Sequence, residues 1–343
     1  MVDFDLILCH TTKYMFLIRL LRRSQKSILS YRNSGLGDNL LAAANAWDYA
    51  KVTGRSLVIC WSRSRYLRDG GVNAFFQFFE LPAEIQGVPV EVESKIDRVS
   101  SWIISYWHFL MPYPDLVCIA ERRLRRSGAL KHVIPGYVPI DGPRGFAADR
   151  RHEREQKIVY GGIEKPQRLM IATGCYCPQE KLRPFFDALK LTPDLAQQVE
   201  AFSRVHFGDK LIIGMHVRHY DASLPRGNHS RYWTNPEEGL AHCLDKIHQA
   251  IRRAGTAEHV VFLSTDSRLV QEFVKAHLDH VVTFDKQFGT DQSKELLQEL
   301  PVETASQSLI EMFLLARSHI LVRYPPESWF SHYASLYAQE ILT

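Results

Sequence analysis

The stretch SILSYRNSGLGDNLLAAANAWDYAKVTGRSLVICW, residues 27–61, decides the fold of this chain. A short β-type run is followed by a glycine-rich turn, an alanine-rich helix that ends at Gly54, and a second β-type run. Asp38 or Asn39 is the expected N-cap of the helix. The apolar face of the helix is formed by Leu40, Leu41, Ala44, Trp47 and Ala50. This order makes a βαβ unit, which predicts parallel strands joined by a right-handed crossover.

A regular alternation of strands and helices returns in the C-terminal part of the chain. Strand patterns lie at 210–219, 259–267, 280–284 and 319–326. Helix patterns lie at 192–208, 236–254, 268–277, 303–318 and 328–342. Strands that alternate with helices predict a doubly wound α/β domain. Because residues 27–61 begin a first domain of the same kind, we expect two Rossmann-type domains that face each other across a cleft.

The predicted organisation has four parts. Residues 1–27 form a leader that contains at most a short helix. Residues 28–190 form an N-terminal Rossmann-like domain, and residues 191–327 form a C-terminal one. Residues 328–343 are expected to end the chain as a helix.

Composition excludes several classes of protein. The chain has 343 residues and a formal net charge of only +4, far from the dense basic face of a dedicated nucleic-acid binder. No run approaches the roughly 18–20 apolar residues of a membrane-spanning helix, although the run at 14–21 leaves peripheral membrane contact open. The cysteines are too scattered for a disulfide framework, and Cys175-x-Cys177 lacks the second pair of a zinc site. We therefore expect a cytoplasmic protein without a metal site.

Polar residues stand at the carboxyl ends of the predicted strands, where ligands bind in open α/β sheets. In the turn RNSGLGDN after the first strand, Gly35 and Gly37 let backbone amides approach a ligand at a helix N-terminus, where the dipole favours negative charge. The strand at 210–219 ends in HVRHYD, the next ends in STDS at 264–267, and the last ends in RYPPES at 323–328. Together these ends predict a site for a negatively charged ligand.

The segment HVRH at 216–219 is the strongest single signal for such a ligand. Strand alternation places His216 and Arg218 on one face and Val217 and His219 on the other, unless the strand has already turned. A guanidinium presents a fixed fork of donors that suits phosphate or pyrophosphate. A lone arginine at a strand end is more often part of a structural ion pair, but two flanking histidines at a ligand-binding edge favour the ligand.

Three further polar residues are candidates for the site, and two of them allow two interpretations. Asp266 is either an acceptor for sugar or ribose hydroxyls or the N-cap of the helix at 268. Glu311 lies in the apolar segment SLIEMFLLA and is either a surface residue or a buried carboxylate. A buried carboxylate needs a donor pair, such as the N1–H and N2–H₂ edge of guanine or an arginine. Ser328 and the peptide amides around it follow the last strand and open the last predicted helix, which makes a second anion nest.

These motifs, in this order, resemble the NodZ-type bacterial α-1,6-fucosyltransferases and, more distantly, the core α-1,6-fucosyltransferase and protein O-fucosyltransferases of eukaryotes. The resemblance covers about residues 28–343. Its most specific pieces are SGLGDNLLAAANAWDYAKVTGRSLVICW, IIGMHVRH, YW at 232–233, VFLSTDS and SLIEMFLLARSHILVRYPP. The resemblance implies a GT-B-like glycosyltransferase that moves fucose from GDP-β-L-fucose with inversion and without a metal or cofactor.

The resemblance also assigns roles in the donor site. It places His216 against guanine and Arg218 on the β-phosphate, where the cation offsets charge on the departing GDP. His219 follows as a further essential side chain, and Glu311 stands where the family typically has an aspartate that reads guanine. The other implied donor-site residues are Gly35, Gly37 and Asp38 in the N-terminal domain and Asp266, Arg323, Pro326 and Ser328 in the C-terminal domain.

The catalytic candidates are Arg218, His219, Asp221 and Asp38. The loop after the arginine motif, HYDASLPRGNHSRYW, contains Asp221 as its single carboxylate. Asp221 is therefore the preferred general base for the acceptor hydroxyl, with His219 and His229 behind it.

The acceptor is expected on the side of the N-terminal domain. The resemblance implies O6 of a GlcNAc-type residue in a glycan, such as a lipochitooligosaccharide or a surface polysaccharide intermediate. Aromatic rings either stack on its sugars or, as core packing usually requires, lie inside the protein; they belong to 73–79, Trp61, Trp102, Trp107 and Trp233. Two alternatives stay open, a related transferase for another nucleotide sugar and an inactive paralogue that binds glycans or nucleotides. Nucleic acid is not an expected partner.

Overall fold

The computed structural model describes residues 26–32, 35–62, 72–91, 169–172, 179–219, 235–288, 302–326 and 328–343. The chain divides into two compact units, Met1–Lys190 and Leu191–Thr343. Each unit contains a five-stranded sheet against which helices pack. The predicted α/β class is confirmed.

The first unit is built on the βαβ unit that residues 27–61 predict. Its strands are β1 (Ser27–Ser30), β2 (Ser56–Ile59), β3 (Phe79–Glu80), β4 (Glu84–Ile85), β5 (Val88–Glu91) and β6 (Leu169–Ala172). Its helices are α1 (Leu36–Thr53), α2 (Phe75–Phe78) and α3 (Gln179–Ala188). The sheet order is β4-β5-β2-β1-β6, with β5, β2, β1 and β6 parallel and β4 antiparallel at the edge.

Helix α1 begins earlier than its sequence predicts. Gly35 is the N-cap, so the expected caps Asp38 and Asn39 are wrong and both lie inside the helix. The N–H of Asn39 donates to the carbonyl of Gly35 at 3.0 Å, which closes the first turn. Because α1 begins earlier, Asp38 lies in its first turn, where a carboxylate interacts favourably with the helix dipole. The helix ends at Gly54, whose φ of 62° is the left-handed conformation that glycine tolerates best.

The aromatic residues before and within α2 form a core cluster. The ring of Trp61 packs edge-on against Phe75 at 5.2 Å and against Phe79 at 5.9 Å. Trp61, Phe75, Phe78 and Phe79 are each at most 1% exposed. Rings this deeply buried cannot stack on a sugar, so the core interpretation is confirmed for them. Trp102, Trp107 and Trp233 lie outside the described residues.

The second unit continues the strand–helix alternation. Its strands are β8 (Leu211–Val217), β9 (His259–Thr265), β10 (Val281–Val282), β11 (Ile320–Tyr324) and β12 (Glu340–Leu342), and β7 (Lys190–Leu191) lies at the boundary between the units. Its helices are α4 (Pro193–His206), α5 (Pro236–Ala254), α6 (Arg268–His277), α7 (Val302–Leu315) and α8 (His332–Ser335).

The sheet of the second unit has the order β10-β9-β8-β11-β12, and its pairs are all parallel. The chain steps outward from β8 to β10 and then returns to place β11 on the other side of β8. The strand order therefore reverses between β8 and β11. In open α/β sheets the crevice outside the carboxyl ends at such a reversal is where ligands bind.

The predicted helix over 328–343 is wrong. Only His332–Ser335 is helical, and the last residues form β12, where Glu340 lies opposite Ile320 of β11. The apolar spacing of SWFSHYASLY resembles a helix face, but the backbone of the chain end is satisfied by pairing with the sheet edge instead. Leu342 is 6% exposed in that strand and joins the core of the unit.

Across the described parts of the chain, no helix has both the length and the apolar character needed to cross a bilayer.

Candidate active site

The strand ends of the second unit bring four predicted site residues onto neighbouring strands. In the sheet register His216 of β8 lies between Ser264 of β9 and Arg323 of β11. Arg218 follows β8, and its backbone N–H donates to the carbonyl of Tyr324 at 2.8 Å. Asp266 follows β9 directly. These predicted site residues therefore lie near the carboxyl ends of β8, β9 and β11, where the strand order of the sheet reverses.

Asp266 joins the two residues that follow β8. Its Oδ1 accepts a hydrogen bond from the backbone N–H of His219 at 2.9 Å. Its Oδ2 lies 3.5 Å from Nε of Arg218. The side chains of Arg218 and Asp266 are 36% and 29% exposed, so this ion pair is accessible to a ligand. The carboxylate of Asp266 thus holds the backbone of His219 and the guanidinium of Arg218 next to each other.

The alternative role of Asp266 as a helix cap is wrong. Ser267 is the N-cap of α6, and its hydroxyl accepts from the N–H of Val270 at 3.5 Å. Because the neighbouring serine takes the cap position, the carboxylate of Asp266 is directed to Arg218 and His219 instead.

His216 is a buried histidine with a stacked partner. Its side chain is 4% exposed, and its ring lies against that of Phe330, with centroids 5.0 Å apart and an interplanar angle of 28°. The stacking fixes the plane of the imidazole at the strand end. Nothing in the sequence pattern marked Phe330, which follows β11 by several residues.

Arg323 holds the loop that carries Phe330. Its Nε donates to the hydroxyl of Ser331 at 2.9 Å, and its Nη2 donates to the carbonyl of Ser328 at 3.0 Å. Arg323 is buried, and burial lowers its pKa to about 10. Burial, together with the charge of Arg323, lowers the pKa of the neighbouring His332 to about 3, so that imidazole is neutral at physiological pH. Buried Arg323 thus stabilises the loop that contains Ser328 and Ser331 through hydrogen bonds.

The predicted anion nest around Ser328 is wrong for the amide of that residue. The N–H of Ser328 donates to the carbonyl of Pro325 at 3.2 Å and is therefore already satisfied. The helix also starts four residues later, at His332, because the intervening turn is held by Arg323. Pro326 is half-buried in this turn, which follows a cis peptide bond between Tyr324 and Pro325.

Glu311 is buried, as one of its two interpretations requires. It is 2% exposed in α7, and its Oε2 accepts a hydrogen bond from the ammonium of Lys286. Burial raises the pKa of the Glu311 carboxyl, while Lys286 and the hydroxyl of Ser264 act to lower it and Asp266 raises it further. Sequence reasoning missed Lys286, because a single lysine in the segment FDKQF carries no periodic signal.

The first unit places Gly35, Gly37 and Asp38 at the N-terminus of α1. The carboxylate of Asp38 lies 3.9 Å from the guanidinium of Arg32, and both side chains are less than a fifth exposed. Among the described residues, a Cβ added at Gly35 would meet only Oδ2 of Asp38, at 3.4 Å, which is ordinary contact.

Some predicted residues lie outside the described part of the chain. Asp221 and His229 are among them, and so is the Cys175-x-Cys177 pair. Within the described ranges, no group of three or more histidine, cysteine, aspartate or glutamate side chains could hold a metal ion.

Comparison with known proteins gives consistent matches. A family model described as Nodulation protein Z (NodZ) matches residues 24–126 and 169–343, well over half of the chain. Nodulation protein Z of Bradyrhizobium diazoefficiens is 31% identical over 330 residues, which cover 93% of this chain and 81% of that protein.

Solved structures agree with the sequence matches. One, described as NodZ alpha-1,6-fucosyltransferase soaked with GDP-fucose, has a TM-score of 0.63 and 26% identity, covering 93% of this chain and 94% of that one. Another, co-crystallised with GDP, has a TM-score of 0.63 and 27% identity, with the same coverage.

Proposed function

The chain belongs to the family described as Nodulation protein Z (NodZ), and from this premise we propose that it is a glycosyltransferase that moves fucose from GDP-fucose to a hydroxyl of a glycan. Relatives that match over more than nine-tenths of the chain are described as α-1,6-fucosyltransferases, solved with GDP-fucose and with GDP. The acceptor hydroxyl in this proposal is O6 of a GlcNAc-type residue. The acceptor is a lipochitooligosaccharide or a surface polysaccharide intermediate, and the reaction takes place in the cytoplasm.

One observation carries the proposal, the cluster of Arg218, Asp266 and His219 at the carboxyl ends of β8 and β9. The guanidinium is partly exposed beside the reversal of strand order, where a nucleotide ligand is expected. Its Nε edge faces Asp266, and a guanidinium carries further N–H donors on its other two nitrogens that suit a diphosphate.

The proposed role of Arg218 in the reaction is electrostatic. When the bond between fucose and GDP breaks, negative charge grows on the β-phosphate, and a fixed cation at that place stabilises the transition state more than the ground state. The backbone hydrogen bond to Tyr324 and the contact with Asp266 fix the cation before the substrate arrives. Preorganisation of this kind avoids reorganisation during the reaction.

The remaining roles follow from the family resemblance. Attack by the acceptor from the face opposite GDP inverts the configuration at the fucose carbon, without a metal or cofactor. Asp221 is the proposed general base, and Asp38 and His219 are the further catalytic candidates. His216 and Glu311 are the proposed guanine contacts, and Gly35, Gly37, Arg323, Pro326 and Ser328 complete the proposed donor site.

The test is transfer from a panel of nucleotide sugars to a glycan array by the wild type and Arg218→Ala. We expect the wild type to use GDP-fucose, and the variant to lose about a hundredfold to a thousandfold in kcat/KM. The fold should survive, because a partly exposed ion pair such as that of Arg218 contributes at most about 1 kcal/mol.

The matched control is Arg317→Ala, since Arg317 is a similarly exposed arginine paired with Glu200 elsewhere in the second unit. It should transfer fucose at the wild-type rate. Retention of most activity by Arg218→Ala contradicts the proposal. Turnover of another nucleotide sugar in place of GDP-fucose indicates a related transferase, and turnover of none indicates an inactive paralogue.

A further inference from the structure

The Lys286–Glu311 ion pair is buried next to the proposed donor site. The side chains of Glu311 and Lys286 are 2% and 11% exposed. The hydroxyl of Ser264 lowers the pKa of the Glu311 carboxyl as a hydrogen-bond donor, and the charge of Asp266 raises it, so the pair lies close to the carboxyl end of β9. Ser264 is also the register partner of His216. The pair therefore belongs to the same region as the predicted guanine contacts.

A buried ion pair of this kind is weak as a source of stability. The cost of removing both charges from water often equals or exceeds their mutual attraction, so apolar residues of similar volume would serve the core equally well. The geometry of the pair points to another role. Lys286 engages Oε2, while Oε1 is buried and accepts no hydrogen bond of ordinary geometry from the described residues. A buried acceptor without a donor is costly, and a ligand donor would remove that cost.

We propose that Lys286 sets the base specificity of the donor site by holding Glu311 as an oriented carboxylate whose Oε1 accepts from the donor edge of a purine. This inference rests on the proposed use of a GDP-sugar and adds how its base is selected. Guanine presents N1–H and N2–H₂ side by side, and a charged carboxylate only accepts, so the two match. Hypoxanthine lacks the amino group, and adenine lacks the N1–H. The expected order of affinity is GDP, then inosine diphosphate, then ADP.

The charge of Lys286 matters because Glu311 is surrounded by influences that favour its protonation. Burial and the charge of Asp266 raise the pKa of Glu311. The charge of Lys286 is the largest of the three influences that lower it, ahead of the hydrogen bonds from Lys286 and Ser264. Arg268 is a second cation nearby, since both it and Lys286 lie over the ring of Phe288. Without Lys286 the carboxyl tends to become neutral and to carry a hydroxyl donor, which opposes the donors of guanine.

The test is calorimetric titration of GDP, inosine diphosphate and ADP into the wild type, Lys286→Met, Glu311→Gln and the double variant, over a series of pH values around neutrality. We expect Lys286→Met to weaken GDP binding about tenfold to a hundredfold and to lose most of the preference for GDP over inosine diphosphate. Its GDP affinity should rise with pH more steeply than that of the wild type, because binding then requires Glu311 to lose a proton first. The kcat at saturating GDP-fucose should change little while KM rises, because the pair lies at the base rather than at the reacting atoms.

The double variant decides whether Lys286 acts through Glu311. Its GDP affinity should equal that of Glu311→Gln alone at every pH, because the titration of the GDP phosphate is common to both and no titrating carboxyl is left at this position. Independent addition of the two effects overturns the inference. So does a Lys286→Met protein with wild-type affinity, preference and pH profile, which would leave the pair a purely structural one.

Two further measurements keep the test decisive. Lys210→Met breaks an exposed ion pair with Glu258 in the same unit and should change neither affinity nor preference. If Lys286→Met does not fold, Lys286→Arg replaces it. We expect Lys286→Arg to keep the preference for GDP, and loss of that preference contradicts the inference. A wild type that binds no GDP overturns the proposed function itself, whereas a GDP-selective wild type with indifferent variants overturns only the role of Lys286.

Discussion

At the scale of the residue, Asp266 combines two roles that different atoms carry out. Oδ1 holds the backbone N–H of His219, and Oδ2 faces Nε of Arg218. The first contact fixes the path of the chain as it leaves β8, and the second fixes the direction of the guanidinium. The two roles can be separated, because asparagine keeps a side-chain oxygen in nearly the same place but has no charge.

We expect Asp266→Asn to keep the hydrogen bond to His219 and to lose only the ion pair. Its kcat/KM for GDP-fucose should fall about tenfold, and Asp266→Ala should fall about a further tenfold because the chain after β8 is no longer held. The alanine variant should also unfold more easily by about 1 kcal/mol, the net value of a typical hydrogen bond. Kinetics and urea unfolding of both variants measure the difference. Equal activity in the two variants would show that the backbone contact is irrelevant to catalysis.

Single residues also show what the sequence can and cannot predict. The positions of His216, Arg218 and Asp266 at strand ends were predictable from the apolar strand patterns before them, whereas their roles toward a ligand stay predictions. Lys286 and Phe330 were not, because each lies in an irregular segment and reaches its partner, Glu311 or His216, only through the fold. A contact between residues distant in sequence leaves no periodic trace in either segment.

At the scale of the element, β8 is positioned by a close approach to the end of α7. A Cβ added at Gly214, in the middle of β8, would lie 1.9 Å from Oγ and 2.8 Å from Cβ of Ser318. Ser318 is itself held, since its hydroxyl donates to the carbonyl of Leu315 at 2.6 Å. The glycine therefore lets this strand approach the helix end more closely than any other residue permits, and β8 leads directly to Arg218.

We expect Gly214→Ala to destabilise the protein by about 1–3 kcal/mol, because the added methyl must push aside a buried neighbour. Transfer activity should fall with stability, since displacement of β8 moves Arg218. The companion variant Gly214→Ala/Ser318→Gly removes the clashing atoms and should recover part of both losses. Urea unfolding midpoints and kcat/KM measure the effect, with Ser318→Gly alone as the control. A Gly214→Ala protein as stable as the wild type would contradict the close approach.

The type and bounds of a helix or strand were predictable where the local sequence pattern alone determined its structure. Helices α5 and α6 agree with their predicted bounds, because an apolar stripe and a capping residue mark each one. The C-terminal segment failed because its apolar spacing indicated a helix, whereas pairing with β11 determined its structure as a strand. Local spacing cannot reveal that a sheet edge is vacant, since this depends on the order in which all the strands assemble.

At the scale of the whole molecule, each unit has its own sheet with its own reversal of strand order; the sheet is parallel in the second unit and parallel apart from the edge strand β4 in the first. In the first unit the order reverses between β1 and β6, and in the second between β8 and β11. Gly35 and Gly37 follow β1, and the segment HVRH at 216–219 lies at the end of β8. The repeated architecture follows from the alternation of strands and helices, and it was predictable for that reason. The division of work between the units stays a prediction that rests on the family resemblance, because the sheets themselves are alike.

Amide hydrogen exchange of the intact protein tests that division of work. A ligand that binds only the native state lowers the population of locally opened states, so the amides it contacts exchange more slowly. We expect GDP to protect 211–219, 264–268 and 328–331 in the second unit, by up to about a hundredfold at a concentration of roughly 100 Kd. GDP-fucose should protect the same segments and also 35–39, because the proposed donor site includes Gly35, Gly37 and Asp38. UDP is the control and should protect none of them. Equal protection of these segments by UDP, or no protection of 211–219 and 264–268 by GDP, would contradict the assignment of the nucleotide to the second unit.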